Sequence, residues 1–414
     1  MNPHIHVEKL VYGGDGLSRI DGEVVLTPFV LPGETVEAEP AESRQHVRRA
    51  RLVNVLESSP DRVLPPCPVF TQCGGCQYQH ATYDAQLRLK RDILADTLRR
   101  VGKIEFDPAH MGAESAEPLG YRNRVQLHIE RGRIGYRAMQ SRRLIPVAQC
   151  PIASPKLNEI IGRLSRLVRD RRWPDFIGQI EIFTDESNIQ WNVLEAGRPV
   201  ARRFFEWLAE EFPGTVSGSL GYRVNEDTFT VSGNSFFQGN RFLLPRLAHL
   251  AIGDSHGAEA WDLYAGVGLF SLPLARRFKK TTAVESGRAA SVDLGHNASR
   301  AGLSVEVVAQ NTEAFLAGAT TAPSFVLADP PRAGLGKTVV TRLLALAPQR
   351  LIIVSCDPAT LARDLAALSP LYEIERLTLV DLFPQTFHLE TLAALRLRQN
   401  GPGDDVPDQS QMGR

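Results

Sequence analysis

Residues 258–269 read Ala258-Glu259-Ala260-Trp261-Asp262-Leu263-Tyr264-Ala265-Gly266-Val267-Gly268-Leu269. An apolar run of strand length ends here in a glycine loop and opens into a helix-forming stretch. Glycines at such a turn let a ligand come close to the backbone, as in the first strand, loop and helix of a doubly wound sheet. The same alternation continues outward. Apolar segments at 281–284, 305–308, 325–328 and 351–355 are separated by helical stretches, the first at 269–278. Strands this apolar fit a sheet covered on both faces, so this part of the chain reads as a Rossmann-like α/β domain.

The residues that end these strands carry the chemical signals. Glu285 closes the second strand, where an acidic side chain reaches the ribose hydroxyls of an adenosine-containing cofactor. The loop lacks the third glycine of a dinucleotide site and the lysine of a phosphate-binding loop, which favours S-adenosylmethionine over NAD or ATP. A purely structural turn is the plainer reading. Asp329-Pro330-Pro331-Arg332 follows the strand at 325–328, with an aspartate to hold a base or cofactor and prolines to stiffen the loop. Ser355-Cys356-Asp357-Pro358 follows the strand at 351–355. A cysteine there serves covalent catalysis, against the alternative of a buried packing residue. Phe387-His388-Leu389-Glu390-Thr391 offers Glu390 as a base; alone it would pass for a surface glutamate.

Upstream the character differs. Short strands at 4–10, 23–28 and 34–39, with the turn Tyr12-Gly13-Gly14-Asp15-Gly16, suggest a small oligonucleotide-binding type of barrel. Cys67, Cys73 and Cys76 form a compact trio, and Cys150 is a distant fourth. Such a set can hold a [4Fe-4S] cluster or, less well matched by the spacing, a structural zinc. A helix at about 84–101 carries Leu87, Ile93 and Leu98 among charges, and a mixed region follows to about 230. Ser235-Phe236-Phe237-Gln238-Gly239-Asn240 precedes the sheet domain.

The 414 residues are 43% hydrophobic, enough for two or three domains, and 47 basic residues balance 47 acidic ones. Bulk charge therefore indicates no nucleic-acid partner. Local charge does: Arg122, Arg124, Arg131, Arg133, Arg137, Arg142 and Arg143 crowd a stretch with Glu130 as its one acid, a density suited to phosphate or to a solvated strand face. The five cysteines do not suggest a disulfide framework. With neither an apolar run of spanning length nor a leader, a soluble cytoplasmic protein is expected. No coiled-coil or repeat pattern demands a protein partner. The polar tail 401–414 reads as disordered.

Together these segments resemble the RNA (uracil-5-)methyltransferase family, and within it the iron-sulfur branch acting on large-subunit ribosomal RNA. The stretch 11–19 with Leu31-Pro32-Gly33-Glu34 looks like that family's TRAM barrel, and Tyr121-Arg122-Asn123-Arg124 with Cys150-Pro151-Ile152 resembles its central domain. The resemblance implies a multidomain α/β protein: a TRAM-like barrel at 1–60, a mixed central domain with the cysteine site at 61–235, and a class I methyltransferase domain at 236–400. It implies cofactor contacts from Gln238, Tyr264, Glu285 and Asp329, a nucleophile at Cys356 and a base at Glu390, with a flipped uracil in folded RNA as substrate. Phe387 and Ala265 depart from the family's usual residues without touching a chemical step. Three other readings stay open: the same chemistry on transfer RNA, cytosine-5 methylation, and a non-catalytic iron-sulfur RNA-binding protein. Cytosine chemistry is weakened because no proline precedes Cys356.

Overall fold

The computed structural model describes residues 2–44 and 47–399. The tail 401–414, with its expected disorder, lies outside the described residues. The chain forms two compact units. One comprises Met1–Ala95, Ala113–Leu247 and Leu379–Glu390; the other comprises Asp96–Gly112, Ala248–Thr378 and Thr391–Arg414.

The first unit begins with a six-stranded sheet in the order His4–His6, Thr35–Arg44, Val47–Glu57, Glu23–Pro28, Asp15–Ile20, Lys9–Leu10. Its outermost strands are neighbours in sequence. The sheet therefore curls back on itself, aided by bonds from Val7 N–H to the Glu34 carbonyl and from Glu8 N–H to the Leu17 carbonyl, each 2.9 Å. Alternating apolar residues, among them Val25, Val36, Ala38 and Ala50, fill the interior. A five-stranded antiparallel sheet follows, ordered Leu144–Pro146, Arg133–Arg137, Arg124–Glu130, Ile177–Thr184, Ile189–Ala196. The helices Pro155–Leu167 and Arg202–Glu211 contribute Ile160, Ile161, Leu164, Phe204 and Trp207 to its core.

Within this unit the helix Tyr83–Thr97 differs from expectation. It buries Ala85, Ile93 and Leu94 as an amphipathic helix should, but also Gln86 and Lys90, while Leu87 is only half-buried. The chain then passes through a single π turn at Leu98–Gly102.

The second unit is built on a sheet whose strands run in the order Glu306–Val308, Phe278–Val284, Gly257–Leu263, Phe325–Ala328, Arg350–Ser355, Thr391–Leu397. The first five run parallel to one another, and Thr391–Leu397 pairs antiparallel with Arg350–Ser355. The strand order reverses beside Gly257–Leu263, the switch point at which open α/β sheets bind ligands. The first helix after the glycine loop covers only Ser271–Ala275, shorter than the 269–278 expected, because Phe278 already starts the next strand.

Candidate active site

Tyr264, Glu285, Asp329 and Cys356 are each the first residue beyond a parallel strand. Leu263 is in register with both Val284 and Ala328, so the first three leave the sheet at one level. Ile353 is the partner of Ala328, and Cys356 leaves the same carboxyl edge slightly further along. Ser355 pairs with Thr391 in the antiparallel register. Cys356 follows one member of that pair and Glu390 precedes the other, so the chain carrying Glu390 enters the sheet at the edge where Cys356 leaves it.

The glycine loop is held in an unusual backbone shape. Tyr264 has φ +64° and Gly268 has φ +97°, and a Cβ on Gly268 would lie 3.0 Å from Leu272 and 3.2 Å from Leu294. A left-handed tyrosine persists only where its surroundings dictate it. Glu285 supplies part of that constraint, accepting from Gly266 N–H at 2.9 Å and from Gly287 N–H at 2.5 Å. Each of its oxygens keeps a further lone pair for a hydroxyl.

Behind the loop Asp262 is fully buried. One oxygen accepts from the Ser271 hydroxyl, and Oδ1 has no hydrogen-bond partner among the described residues. Burial pushes this carboxyl up to about 7, with the charges of Asp329 and Glu285 adding to the effect. Asp329 keeps part of its surface open, yet the protein around it desolvates it enough to raise it to about 7 as well. Burial thus raises both carboxyls, and a cationic neighbour would favour their charged form.

Cys356 is half-buried and stands one residue ahead of the N-cap of helix Pro358–Leu368. Asp357 caps that helix, accepting from Ala359 and Thr360 N–H at 3.0 Å each. Asp357 thus occupies the terminal amides, and what the helix offers Cys356 is the positive end of its dipole. The same helix braces the Asp329 loop, since the Thr360 hydroxyl donates to the Arg332 carbonyl at 3.2 Å and Asp364 accepts from Leu335 N–H at 2.7 Å.

Gln238 and Glu390 belong to the first unit and are buried there. Beside Gln238 the two phenylalanines part company: Phe237 packs in the core, whereas Phe236 is 69% exposed. In the sequence both rings read as core residues, which the exposure of Phe236 corrects, and nothing there marks Asp262 as a group with an unanswered oxygen.

Cys67, Cys73, Cys76 and Cys150 line one cavity of ≈ 50 Å³, together with Val69, Phe70, Arg122, Tyr136 and Ile152. Among the described residues no group of three His, Cys, Asp or Glu side chains stands ready to hold a metal ion. Burial pushes Cys76 up to about 12, with the other three cysteines adding to the rise, and burial likewise raises Cys73 and Cys150. Raised in this way the thiols stand neutral, and a cation among them would be needed to favour the thiolate form.

Of the seven arginines, Arg122 lines the cysteine cavity and donates to the Arg124 carbonyl at 3.0 Å, and the other six fall into two groups. Arg124 pairs with Glu181 at 2.6 Å and Arg137 pairs with Glu130, while Arg131, Arg133, Arg142 and Arg143 are exposed.

The family profile described as tRNA (uracil-5-)-methyltransferase matches residues 317–398. The chain is 33% identical to an uncharacterized RNA methyltransferase of Aquifex aeolicus, over 95% of this chain and 98% of that protein. It is 32% identical to the 23S rRNA (uracil(1939)-C(5))-methyltransferase RlmD of Halomonas elongata, over 96% of this chain and 91% of that protein. The crystal structure of the Pyrococcus abyssi tRNA (uracil-54, C5)-methyltransferase in complex with S-adenosyl-L-homocysteine superposes with a TM-score of 0.76, covering 95% of this chain and all of that one at 24% identity. That last likeness is one of fold.

Proposed function

The chain belongs to the RNA (uracil-5-)methyltransferase family, and from that premise we propose that it methylates carbon 5 of a uridine in 23S ribosomal RNA through a covalent bond to Cys356. The observation that carries this reading is the register: Tyr264, Glu285, Asp329 and Cys356 leave one edge of the sheet, and the Glu390 chain enters at that edge.

Carbon 5 of uracil is a poor nucleophile. Addition of the Cys356 thiolate to carbon 6 makes it enolate-like, so that it takes the electrophilic methyl group that S-adenosylmethionine supplies. Carbon 5 then carries both hydrogen and methyl. Glu390 removes the proton, the carbon 5–carbon 6 double bond re-forms, and the thiolate leaves. Glu285 suits the ribose hydroxyls of the donor, Tyr264 its adenosine, and Gln238 and Asp329 would orient donor and base. The uracil must leave its stack for the cysteine to reach it, and the exposed Phe236 ring is available to the splayed RNA.

For the rest of the chain the reading assigns a TRAM-like barrel to 1–60, the central domain to 61–235 and the methyltransferase domain to 236–400. Cys67, Cys73, Cys76 and Cys150 would hold a [4Fe-4S] cluster, with zinc as the second choice. The fit is supported by four thiols on one cavity, by Arg122 as a counter-charge, and by the buried Tyr136 hydroxyl, which lines the cavity beside Cys150. Such a cluster would serve structure rather than catalysis. No helix of the described residues is long and apolar enough to cross a membrane. A ribosomal substrate implies work in the cytoplasm.

Transfer RNA is the second reading, because the matching family profile is described by that substrate. Unmodified ribosomal and transfer RNA offered separately to anaerobically purified protein distinguish them. Labelled 5-methyluridine in the ribosomal RNA alone is the expected result, and label confined to transfer RNA would replace the substrate assignment.

A further inference from the structure

Between strands Tyr372–Val380 and Thr391–Leu397 the chain makes a loop that ends on Glu390. Val380 N–H donates to the Glu390 carbonyl at 2.8 Å, tying the ends together, so a shift of the loop's interior is passed to Glu390. That interior is gripped residue by residue. Lys90 Nζ donates to the Asp381 carboxylate at 2.7 Å and to the Phe383 carbonyl at 2.9 Å, and the Tyr83 hydroxyl reaches the other Asp381 oxygen at 3.0 Å. Gln86 and Gln385 form a reciprocal pair: Gln86 Nε2 donates to Gln385 Oε1 at 3.0 Å, and Gln385 N–H donates to Gln86 Oε1 at 2.9 Å. The Asn240 amide donates to the Leu382 carbonyl at 3.0 Å and the Tyr121 hydroxyl to the Pro384 carbonyl at 3.1 Å. Gln77 and Tyr78 N–H both donate to the Gln385 carbonyl at 2.9 Å.

Two features separate this clamp from ordinary packing. Lys90 and Gln86 are 0% exposed on a helix face that apolar side chains would fill at lower cost. A buried ion pair exchanged for apolar residues of similar size is often no less stable, so stability alone gives little reason for the pair. Gln385, at the centre of the grip, is held at φ +69°, a conformation that a non-glycine residue keeps only under constraint. What the polar set provides is one fixed loop geometry.

We propose that Lys90 and Gln86 are positioning residues for proton abstraction, holding 381–385 so that the Glu390 carboxylate meets the proton on carbon 5. The proposal rests on Glu390 being the base. It gives slow proton removal a specific signature, because addition of Cys356 and methyl transfer precede that step and the methylated RNA then stays bonded to sulfur.

The test compares three full-length, anaerobically purified proteins: Glu390→Gln, the double variant Lys90→Met with Asp381→Leu, and the near-isosteric Gln86→Met. Each is incubated with labelled S-adenosylmethionine and unmodified 23S ribosomal RNA, and protein-bound RNA is read on denaturing gels. Amide hydrogen exchange across 380–390 is followed in the same samples without RNA. The two clamp variants are expected to exchange faster at 381–387 and to lose kcat by on the order of 10²-fold with KM for the methyl donor unchanged. They should also accumulate methylated adduct as Glu390→Gln does. If Glu390→Gln accumulates adduct and neither clamp variant does although its loop exchanges faster, the positioning role is wrong and the base assignment stands. Absence of adduct in Glu390→Gln itself overturns the base assignment, and the positioning role with it.

Discussion

Cys356 combines half-burial, a strand's carboxyl end and an adjacent helix N-terminus. Exchanging its sulfur for hydrogen in Cys356→Ala removes the only step that activates carbon 5. Turnover should vanish while S-adenosylmethionine binding in a calorimeter stays within a few-fold of wild type. Asp262 offers a second test. Its ordinary value of 3.8 is pushed up to about 7 by burial, so the folded protein holds a proton that the unfolded chain releases. Stability from this group is therefore greatest at low pH and falls as pH rises from 3.8 toward about 7. Asp262→Asn should flatten the fall in melting temperature over that window. A cationic sulfonium ligand favours the ionised carboxyl, so binding near pH 7 should release protons, seen as a binding enthalpy that varies with the buffer. The four strand-end residues are legible in the sequence because an apolar run of strand length fixes which residue comes next. Asp262 is not, because its unanswered oxygen depends on packing that no local pattern records.

Glycine positions test the elements directly. Gly268 has φ +97° and leaves a methyl group only a tight fit against Leu272 and Leu294. Gly268→Ala should cost about 1–3 kcal/mol in urea unfolding and weaken cofactor binding by deforming the loop. Gly135 lies in strand Arg133–Arg137, where a Cβ would fall 1.9 Å from the Ile145 carbonyl oxygen. Gly135→Ala must therefore push the strand Leu144–Pro146 away and loosen the cysteine cavity beside it, read as a lower melting temperature. The helix Tyr83–Thr97 marks the limit of sequence reading at this scale. Leu87, Ile93 and Leu98 among charges describe an ordinary amphipathic helix, whereas Lys90 and Gln86 are buried because Asp381 and Gln385, almost three hundred residues away, meet them. Only the tertiary partner makes burial of those side chains favourable.

Over the whole molecule, charge is balanced but unevenly placed. Arg131, Arg133, Arg142 and Arg143 are exposed, whereas Arg124 and Arg137 are committed to ion pairs. Replacing the exposed four with glutamine should weaken RNA binding and reduce the slope of log affinity against log salt by roughly 0.7–0.9 for each phosphate no longer neutralised. A shift in affinity without a change in slope would place the RNA elsewhere. Sequence order conceals the organisation at this scale: the loop 379–390 groups with the first unit although strands of the second flank it. The cysteine set is only half legible, since spacing groups four candidate thiols while the cavity they line exists only in the fold. Uracil-5 methylation through Cys356 is tested most directly by nucleoside mass spectrometry of unmodified 23S ribosomal RNA incubated with labelled S-adenosylmethionine and either wild-type protein or Cys356→Ala. The expected result is 5-methyluridine with wild type and none with the variant. Wild-type product of any other kind, or 5-methyluridine surviving in Cys356→Ala, would contradict the covalent mechanism.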